Sequence, residues 1–298
     1  MREYNTLSVF DGMSGGQQSL KEANIKVNTY YSSEIKPISI DVTQYNFPDT
    51  IQLGNILNWK EWSVDWSSID LFIGGSPCQG FSIAGKKLNF EDERSKLFFV
   101  YLDILNHIKQ LNPNVKFLLE NVKMPDEIAD KIDELLGVQR VFLNSRNFTG
   151  MIRKRYYWTN IPILPYEEKD INIEDLIEDI PFDRSLDYLL SKTKYEPSMS
   201  GDGIITINPR DNNGKQTWQR GRVYDIKGKC PTICASLHDL NITKDHNTYR
   251  KLTQTEEETF QGFPKGYTRI ATRLQAGEML GDGWNVKTIA HIFKGLDT

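Results

Sequence analysis

The chain is predicted to be an α/β protein, a doubly wound sheet carrying a smaller inserted subdomain of strands and loops. Three observations predict this. Short apolar runs alternate with helix-patterned stretches over residues 6–143, as parallel βαβ units require. The alternation fails from about residue 161 to 249, where Pro162, Pro165, Pro181, Pro197, Pro209 and Pro231 cut the chain into short segments. It resumes afterwards, with a helix over 255–260 and a last helix over 286–296 whose Ile289, Ile292 and Phe293 face inward. The expected division is therefore 1–162, an insertion 163–249, and a return segment 250–298.

Residues 6–10 read as the first strand, ended by Asp11-Gly12-Met13-Ser14-Gly15-Gly16. A helix over 17–24 follows, with Leu20 and Ala23 inward. Strand, Gly-rich turn and helix open a nucleotide-binding unit, although such turns are common and the spacing departs from GxGxxG. Residues 27–33 form a second strand ending at Glu34, where a carboxylate can accept from both hydroxyls of a ribose. Gly54-Asn55-Ile56, after a short third strand, either frames an adenine or makes a simple turn.

The run Ile69-Asp70-Leu71-Phe72-Ile73 forms the fourth strand and leads into Gly74-Gly75-Ser76-Pro77-Cys78-Gln79-Gly80-Phe81-Ser82. Two glycines turn the backbone and Pro77 stiffens it, presenting one thiol at the carboxyl end of a strand. Open α/β sheets bind their ligands there. A lone Cys beside such a turn is more often a core residue; its neighbours argue for a reactive one. Gly80 and Gly85 lie in a polar loop running to about Ser95.

Residues 94–111 carry Leu97, Phe98, Tyr101, Leu102, Leu105 and Ile108 at helical spacing. Strand five, over 116–122, brings Glu120 and Asn121 to the same edge as Cys78. A buried carboxylate there needs a partner or a proton; the alternative is a Glu that reaches water. A helix over 126–136 and a strand over 138–143 continue the alternation. Arg153 and Arg155 stand two apart at a strand start, so both can face one side; the alternative is a pair of solvated surface arginines.

Charge and composition limit the function classes. At 298 residues, with 26% charged and 39% hydrophobic residues, the chain is an ordinary globule. Its longest apolar runs are strand-sized, so no membrane span is expected, and Met1-Arg2-Glu3-Tyr4-Asn5 lacks a signal-peptide core. Three cysteines argue against a disulfide framework and for a reducing, cytoplasmic setting. Cys230 and Cys234 are spaced CxxxC without a second Cys/His pair, so no metal is expected. Net charge is −4, but residues 166–187 hold nine acidic side chains against two basic, and 204–251 hold nine basic against four acidic. The acidic stretch reads as a solvated helix face, the basic one as solvated surface or a phosphate contact.

In this order, over nearly the whole chain, these motifs resemble the C5-cytosine-specific DNA methyltransferases. Phe10-Asp11-Gly12 through Gly16 is similar to the family's cofactor loop and Glu34 to its ribose carboxylate. Pro77-Cys78-Gln79-Gly80-Phe81-Ser82, with Ala84-Gly85 and Asp92-Glu93-Arg94, resembles its nucleophile loop. Glu120-Asn121-Val122 resembles the acid motif, Arg153 with Arg155 the paired arginines, and Pro231-Thr232-Ile233 a short sequence inside the target recognition domain. Leu252-Thr253 through Gln261-Gly262-Phe263-Pro264 resembles the segment joining that domain to the sheet. Departures are Met13-Ser14 in the cofactor loop, Asn55 where Asp is usual, and Trp284-Asn285 in the last motif. The last, with Arg-Lys-Arg-Tyr-Tyr-Trp at 153–158, is similar to the animal de novo enzymes, whereas the nucleophile loop is of the bacterial and phage type.

The resemblance implies a Rossmann-like, class I S-adenosylmethionine-dependent methyltransferase fold. Residues 1–162 would bind cofactor and catalyse, 163–249 would recognise the target, and 250–298 would complete the catalytic domain. S-Adenosylmethionine, leaving as S-adenosylhomocysteine, would be held by Phe10, Asp11, Gly12, Met13, Gly15, Glu34, Ile35, Asn55, Ile56, Pro77, Trp284, Asn285 and Val286. Catalysis would fall to Cys78 as nucleophile, Glu120 as acid, and Arg153 and Arg155. A cytosine flipped out of double-stranded DNA is the implied substrate. Gln79, Ser82, Lys86, Lys87, Arg94, Arg210, Arg220, Arg222 and Thr232 would contact the DNA, with Asn212, Gln216 and Gln219 as further base readers. A monomer is expected, a dimer stays open, and a cognate restriction endonuclease is a possible partner. The alternatives are a tRNA cytosine-5 methyltransferase and a catalytically silent DNA-binding homologue.

Overall fold

The computed structural model describes residues 2–76, 93–235 and 239–298. The chain forms two compact units. The first comprises Met1–Leu143, Lys154–Pro165 and Thr288–Thr298; the second comprises Asn144–Arg153 and Tyr166–Lys287. The second thus holds residues 250–287 together with the insertion.

The first unit is built on seven strands: β1 (Glu3–Val9), β2 (Lys26–Ser33), β3 (Ile51–Gln52), β4 (Leu71–Gly74), β5 (Lys116–Val122), β6 (Val141–Asn144) and β7 (Lys154–Thr159). Their order is β3-β2-β1-β4-β5-β7-β6. β1 to β5 run parallel and β7 pairs antiparallel with β5. Helices α1 (Gly15–Glu22), α2 (Pro37–Asn46), α3 (Glu93–Leu111) and α4 (Asp126–Leu136) lie between the strands in sequence. β4 is buried along its whole length, which is why it reads as an unbroken apolar run rather than an alternating one. Phe72, Phe117 and Leu119 share one core cluster with Phe98, Tyr101, Leu105 and Ile108 of α3 and with Ile132 and Leu136 of α4. α4 shows the local logic plainly: Ala129, Ile132, Asp133 and Leu136 recur on one buried face. Asp126 and Glu127 complement the dipole at its start, and Gly137 ends it in the left-handed conformation.

Register decides where function can sit. Val9 pairs with Ser33 on one side and Gly74 on the other, and Gly74 pairs with Leu119. The residues that follow, Phe10, Glu34, Gly75 and Glu120, therefore emerge along one carboxyl edge. Connections run outward through β2 and β3 on one side of β1 and through β4 and β5 on the other, so β1 and β4 bound the topological switch point.

In the second unit a six-stranded sheet contains the segments Ser198–Met199, Ile205–Thr206, Val223–Asp225, Asn241–Thr243, Thr248–Lys251 and Arg184–Ser185. Strands of two to four residues are what a Pro-punctuated insertion allows. Met151, Tyr224, Ile233, Ile242 and Phe260 share its core, and helices Gln254–Phe260 and Arg273–Asp282 complete it. Among the described residues no helix is long and apolar enough to cross a membrane.

Three sequence expectations need correction. The acidic stretch 166–187 is not a helix face: it holds a single 3-10 turn at Ile173–Asp175, where Asn172 and Asp175 cap each other, and Pro181 bars a longer helix. The sixth strand starts at Val141 rather than residue 138. The last helix stops at Phe293 and tightens into a 3-10 turn, Lys294–Asp297. Helix Arg273–Asp282 went unforeseen, because Gly277 and Gly281 obscure its pattern.

Candidate active site

The carboxyl edge of the first unit gathers an acid, a cation and the anchored Ser76. Glu120, near the end of β5, has a side chain only 12% exposed, and Arg155 of β7 approaches it with Nε 2.8 Å from Oε1. Arg155 stands opposite Val122 and Glu120 opposite Tyr157, so the ion pair is a diagonal cross-strand contact on one face. Arg155 also donates from Nη1 to the Lys154 carbonyl, which fixes the guanidinium plane. Asn121, on the other face of β5, donates from Nδ2 to the carbonyl of Ser76 (3.1 Å) and to its Oγ (3.2 Å). Its Oδ1 accepts the Val122 N–H. Ser76 immediately precedes Pro77-Cys78, so Asn121 ties the root of that segment to the acid-bearing strand. Sequence reading placed Asn121 at the edge and assigned it no task; the signal was its position beside Glu120. Pro77, Cys78, Gln79, Ser82, Lys86 and Lys87 lie outside the described residues, as does the side chain of Arg94.

Along the same edge β1 and β2 build a loop that bends sharply. Phe10, Gly12 and Ser14 all have positive φ (56°, 59° and 58°), unusual for the two non-glycines. The bend is held by Asp11, whose buried carboxylate accepts from Ser8 Oγ (2.5 Å), Tyr30 OH (2.8 Å), Ser32 Oγ (2.8 Å) and Ser14 Oγ. Burial pushes this carboxyl above its ordinary value, and the four hydroxyls, led by Ser14, pull it back. Asp11 thus shapes the loop from within, and Met13 is buried beneath it at 2% exposure. Gly12 donates its N–H to Glu34 Oε2 (2.8 Å), while Glu34 Oε1 accepts from Ile35 N (2.7 Å) and Lys36 N (2.8 Å). Oε1 thus has both lone pairs engaged, whereas Oε2 keeps acceptor capacity for a further donor.

Ser33 Oγ holds the Gly54 carbonyl beside the end of β2. Asn55 caps the 3-10 turn Ile56–Glu61 through Leu57 N. Ile35 is 66% exposed and Ile56 buried. A β-carbon at Gly12 would meet no atom within 4 Å, so there is open space beside the bend, and α1 begins at Gly15. An open bend, a free acceptor site on Glu34 Oε2 and an amide at Asn55 fit an adenosine-containing cofactor.

A sequence model of the C-5 cytosine-specific DNA methylase family matches residues 4–127. The chain is 31% identical over 221 residues to the type II methyltransferase M.NlaIV of Neisseria lactamica, a match covering 72% of this chain and 46% of that protein. It is 29% identical over 315 residues to the type II methyltransferase M1.ScrFI of Lactococcus lactis subsp. cremoris, covering 96% of this chain and 76% of that one. The chain belongs to the C-5 cytosine-specific DNA methylase family. It spans less than half the length of the Neisseria relative. The solved structure of Entamoeba histolytica methyltransferase EhMeth superposes with a TM-score of 0.71 at 16% identity, over 99% of this chain and 98% of that one. The fold of this methylase chain is accordingly that of the class I S-adenosylmethionine-dependent methyltransferases.

In the second unit the remaining expected residues have other partners. Arg153 holds the backbone of its own unit. It precedes β7, is 3% exposed, and donates to the carbonyls of Gly281 (3.1 Å), Gly283 (2.7 Å) and Asp282 (3.4 Å). These lie at the C-terminus of helix Arg273–Asp282, where a cation satisfies orphan carbonyls. Asn285 donates to Thr149 Oγ1 and the Phe260 carbonyl (3.0 Å each), and Val286 N donates to Gln261 O. Trp284 precedes them, half-buried. Thr232 Oγ1 donates to the Ile152 carbonyl. Arg210 and Arg220 are exposed, and Arg222 donates from Nε to Thr217 O (2.7 Å).

Proposed function

We propose that this chain methylates C5 of cytosine in double-stranded DNA at a defined sequence, using S-adenosylmethionine. The observation that carries the reading is the buried Glu120–Arg155 pair beside the Asn121-anchored root of the Pro77-Cys78 segment. Cofactor binding is assigned to the bend Phe10–Asp11–Gly12–Met13 with Gly15, to Glu34 for the ribose hydroxyls, and to Ile35, Asn55 and Ile56 for the adenine. Pro77, Trp284, Asn285 and Val286 would complete that site. When bound, S-adenosylmethionine supplies an electrophilic methyl group.

Cytosine C5 is too weak a nucleophile to take that group unaided. The Cys78 thiolate adds to C6, forming an S–C6 bond and pushing the C5–C6 π electrons onto C5. Glu120 holds N3 through its carboxyl as charge develops on the ring, and Arg155 keeps that carboxyl aimed. Once C5 has been substituted, its proton leaves to a base, the S–C6 bond breaks, and the thiolate is regenerated. C6 is not accessible in a duplex, so the base is flipped out first. Arg153, whose guanidinium also holds the carbonyls at 281–283, is assigned with Arg155 to the cytosine O2 edge or to steadying Glu120. The insertion 163–249 is assigned to target recognition and 250–298 to completing the catalytic domain. A cognate restriction endonuclease is the proposed partner, since the matched relatives are named type II methyltransferases.

Nucleoside mass spectrometry of DNA incubated with S-adenosylmethionine tests the reading. Wild type is expected to yield 5-methylcytosine and Cys78→Ala none. Full activity in Cys78→Ala removes the covalent mechanism, and no modified cytosine with wild type removes the reaction.

A further inference from the structure

Trp218 is 86% exposed, the most exposed large apolar side chain among the described residues. An indole left in water is unremarkable on a mobile loop, where it can fold back onto the surface. Here the backbone beneath it is pinned. Trp218 caps the 3-10 turn Gln219–Gly221, with Gly221 N donating to its carbonyl at 2.9 Å. The fully buried Asn208 donates to Gly221 O (2.7 Å) and accepts from Val223 N (2.8 Å). Asn241, also buried, donates to the carbonyls of Arg220 (2.9 Å) and Arg222 (3.1 Å). Thr217 N is held by Pro209 O, and Thr217 O accepts from Arg222 Nε (2.7 Å). Two interior amides and an arginine thus spend their hydrogen bonds on presenting one aromatic ring to solvent.

The ring's surroundings say what it meets. Residues 210–222 carry Arg210, Lys215, Arg220 and Arg222 against a single Asp211, and Arg210, Lys215 and Arg220 are exposed. An aromatic face flanked by exposed cations matches bases flanked by phosphates. Protein interfaces use tryptophan too, but with few charges at their centre. A pinned backbone also suits stacking, because only the two side-chain torsions of the ring are left to be fixed on contact.

We propose that Trp218 is a specificity or positioning residue that packs against base faces of double-stranded DNA, as a stacking platform or as a wedge at a base step, with Arg220 and Lys215 on the adjoining phosphates. This rests on the DNA reading above. The test uses the full chain with Trp218→Ala, Trp218→Phe and Arg220→Ala, scored by equilibrium binding to sheared unmethylated duplex DNA across a salt series and by methylation kinetics. Trp218→Ala is expected to weaken duplex binding by about tenfold, within the range for losing one stacked base. It should raise KM for DNA while KM for S-adenosylmethionine and the melting temperature stay put. Trp218→Phe should recover most of the loss. The salt slope should be unchanged in Trp218→Ala, since the indole is neutral, and flatter by about one in Arg220→Ala.

Duplex affinity and KM for DNA unchanged in Trp218→Ala overturn the proposal while leaving cytosine methylation by wild type intact. A loss confined to a folded RNA such as tRNA, with duplex binding unchanged, overturns it in favour of an RNA partner. If wild type methylated no DNA, the functional reading would fall, and the binding comparison would still decide for or against Trp218.

Discussion

Glu120 and Arg155 make a buried pair in which neither member is easily replaced. Glu120→Gln keeps the shape and leaves an amide that can still donate to N3, yet it cannot pass a proton. kcat is therefore expected to fall by about a hundredfold or more, the usual contribution of a positioned acid, with KM for DNA little changed. Arg155→Ala leaves the carboxylate without its guanidinium in a site that admits little water, so its aim is lost along with its charge balance. Arg155→Lys is not expected to restore it, because a point charge on a flexible stem cannot reproduce the fixed guanidinium donor at Nε. Steady-state kinetics of the three variants check this. A Glu120→Gln enzyme with wild-type kcat removes the acid role. Asn121→Ala should lower activity without touching the acid, because it releases Ser76 at the root of the Cys78 segment.

At the scale of elements, what the sequence made legible was local. β5 falls at 116–122 and α4 at 126–136 as their apolar spacing predicts, because each is set by its own period and caps. What stayed illegible depends on partners far along the chain. Only packing reveals that Arg153 also closes a helix more than a hundred residues later. Helix Arg273–Asp282 was hidden by Gly281, yet a β-carbon there would sit 2.1 Å from the backbone nitrogen of Ala235, so the close approach requires glycine. The three consecutive glutamates of helix Gln254–Phe260 are all fully buried. Glu256 takes Arg250 in a two-point pair (2.7 and 2.8 Å) and caps its own helix through Thr253 N. Glu257 takes Arg273 likewise, and Glu258 accepts from Gly266 N, Thr268 N and Thr268 Oγ1. Arg250→Leu, which strands Glu256, is expected to destabilise the second unit by about 3–5 kcal/mol. The double change with Glu256→Leu should be less harmful than the sum of the two single changes. Denaturant midpoints, with hydrogen exchange over residues 248–260 as the local readout, decide it; additive losses would mean the pair is not coupled.

At the scale of the molecule, stability should depend on pH through groups that folding takes out of water. His291, near the end of helix Val286–Phe293, is 8% exposed and hydrogen-bonds through Nε2 to the Leu164 carbonyl (2.9 Å). Burial lowers its affinity for a proton from the ordinary value of 6.5, the Leu164 carbonyl opposes this, and Lys294 adds to the lowering. The unfolded chain therefore binds the proton more readily than the folded one, so stability rises with pH in that window. Its contribution is complete above the unfolded value near 6.5 and is lost progressively as pH falls through the lower folded value. Asp11 has the opposite sign, since burial raises its carboxyl and the folded form favours its proton. Both belong to the first unit, so its unfolding carries the signal. Melting temperature is expected to drop as pH falls below about 6.5, and His291→Gln, which still donates to the Leu164 carbonyl without titrating, should flatten that drop. An equally steep profile in the variant would assign the pH dependence elsewhere. A flat profile in wild type would mean the imidazole protonates as easily inside the fold as outside it.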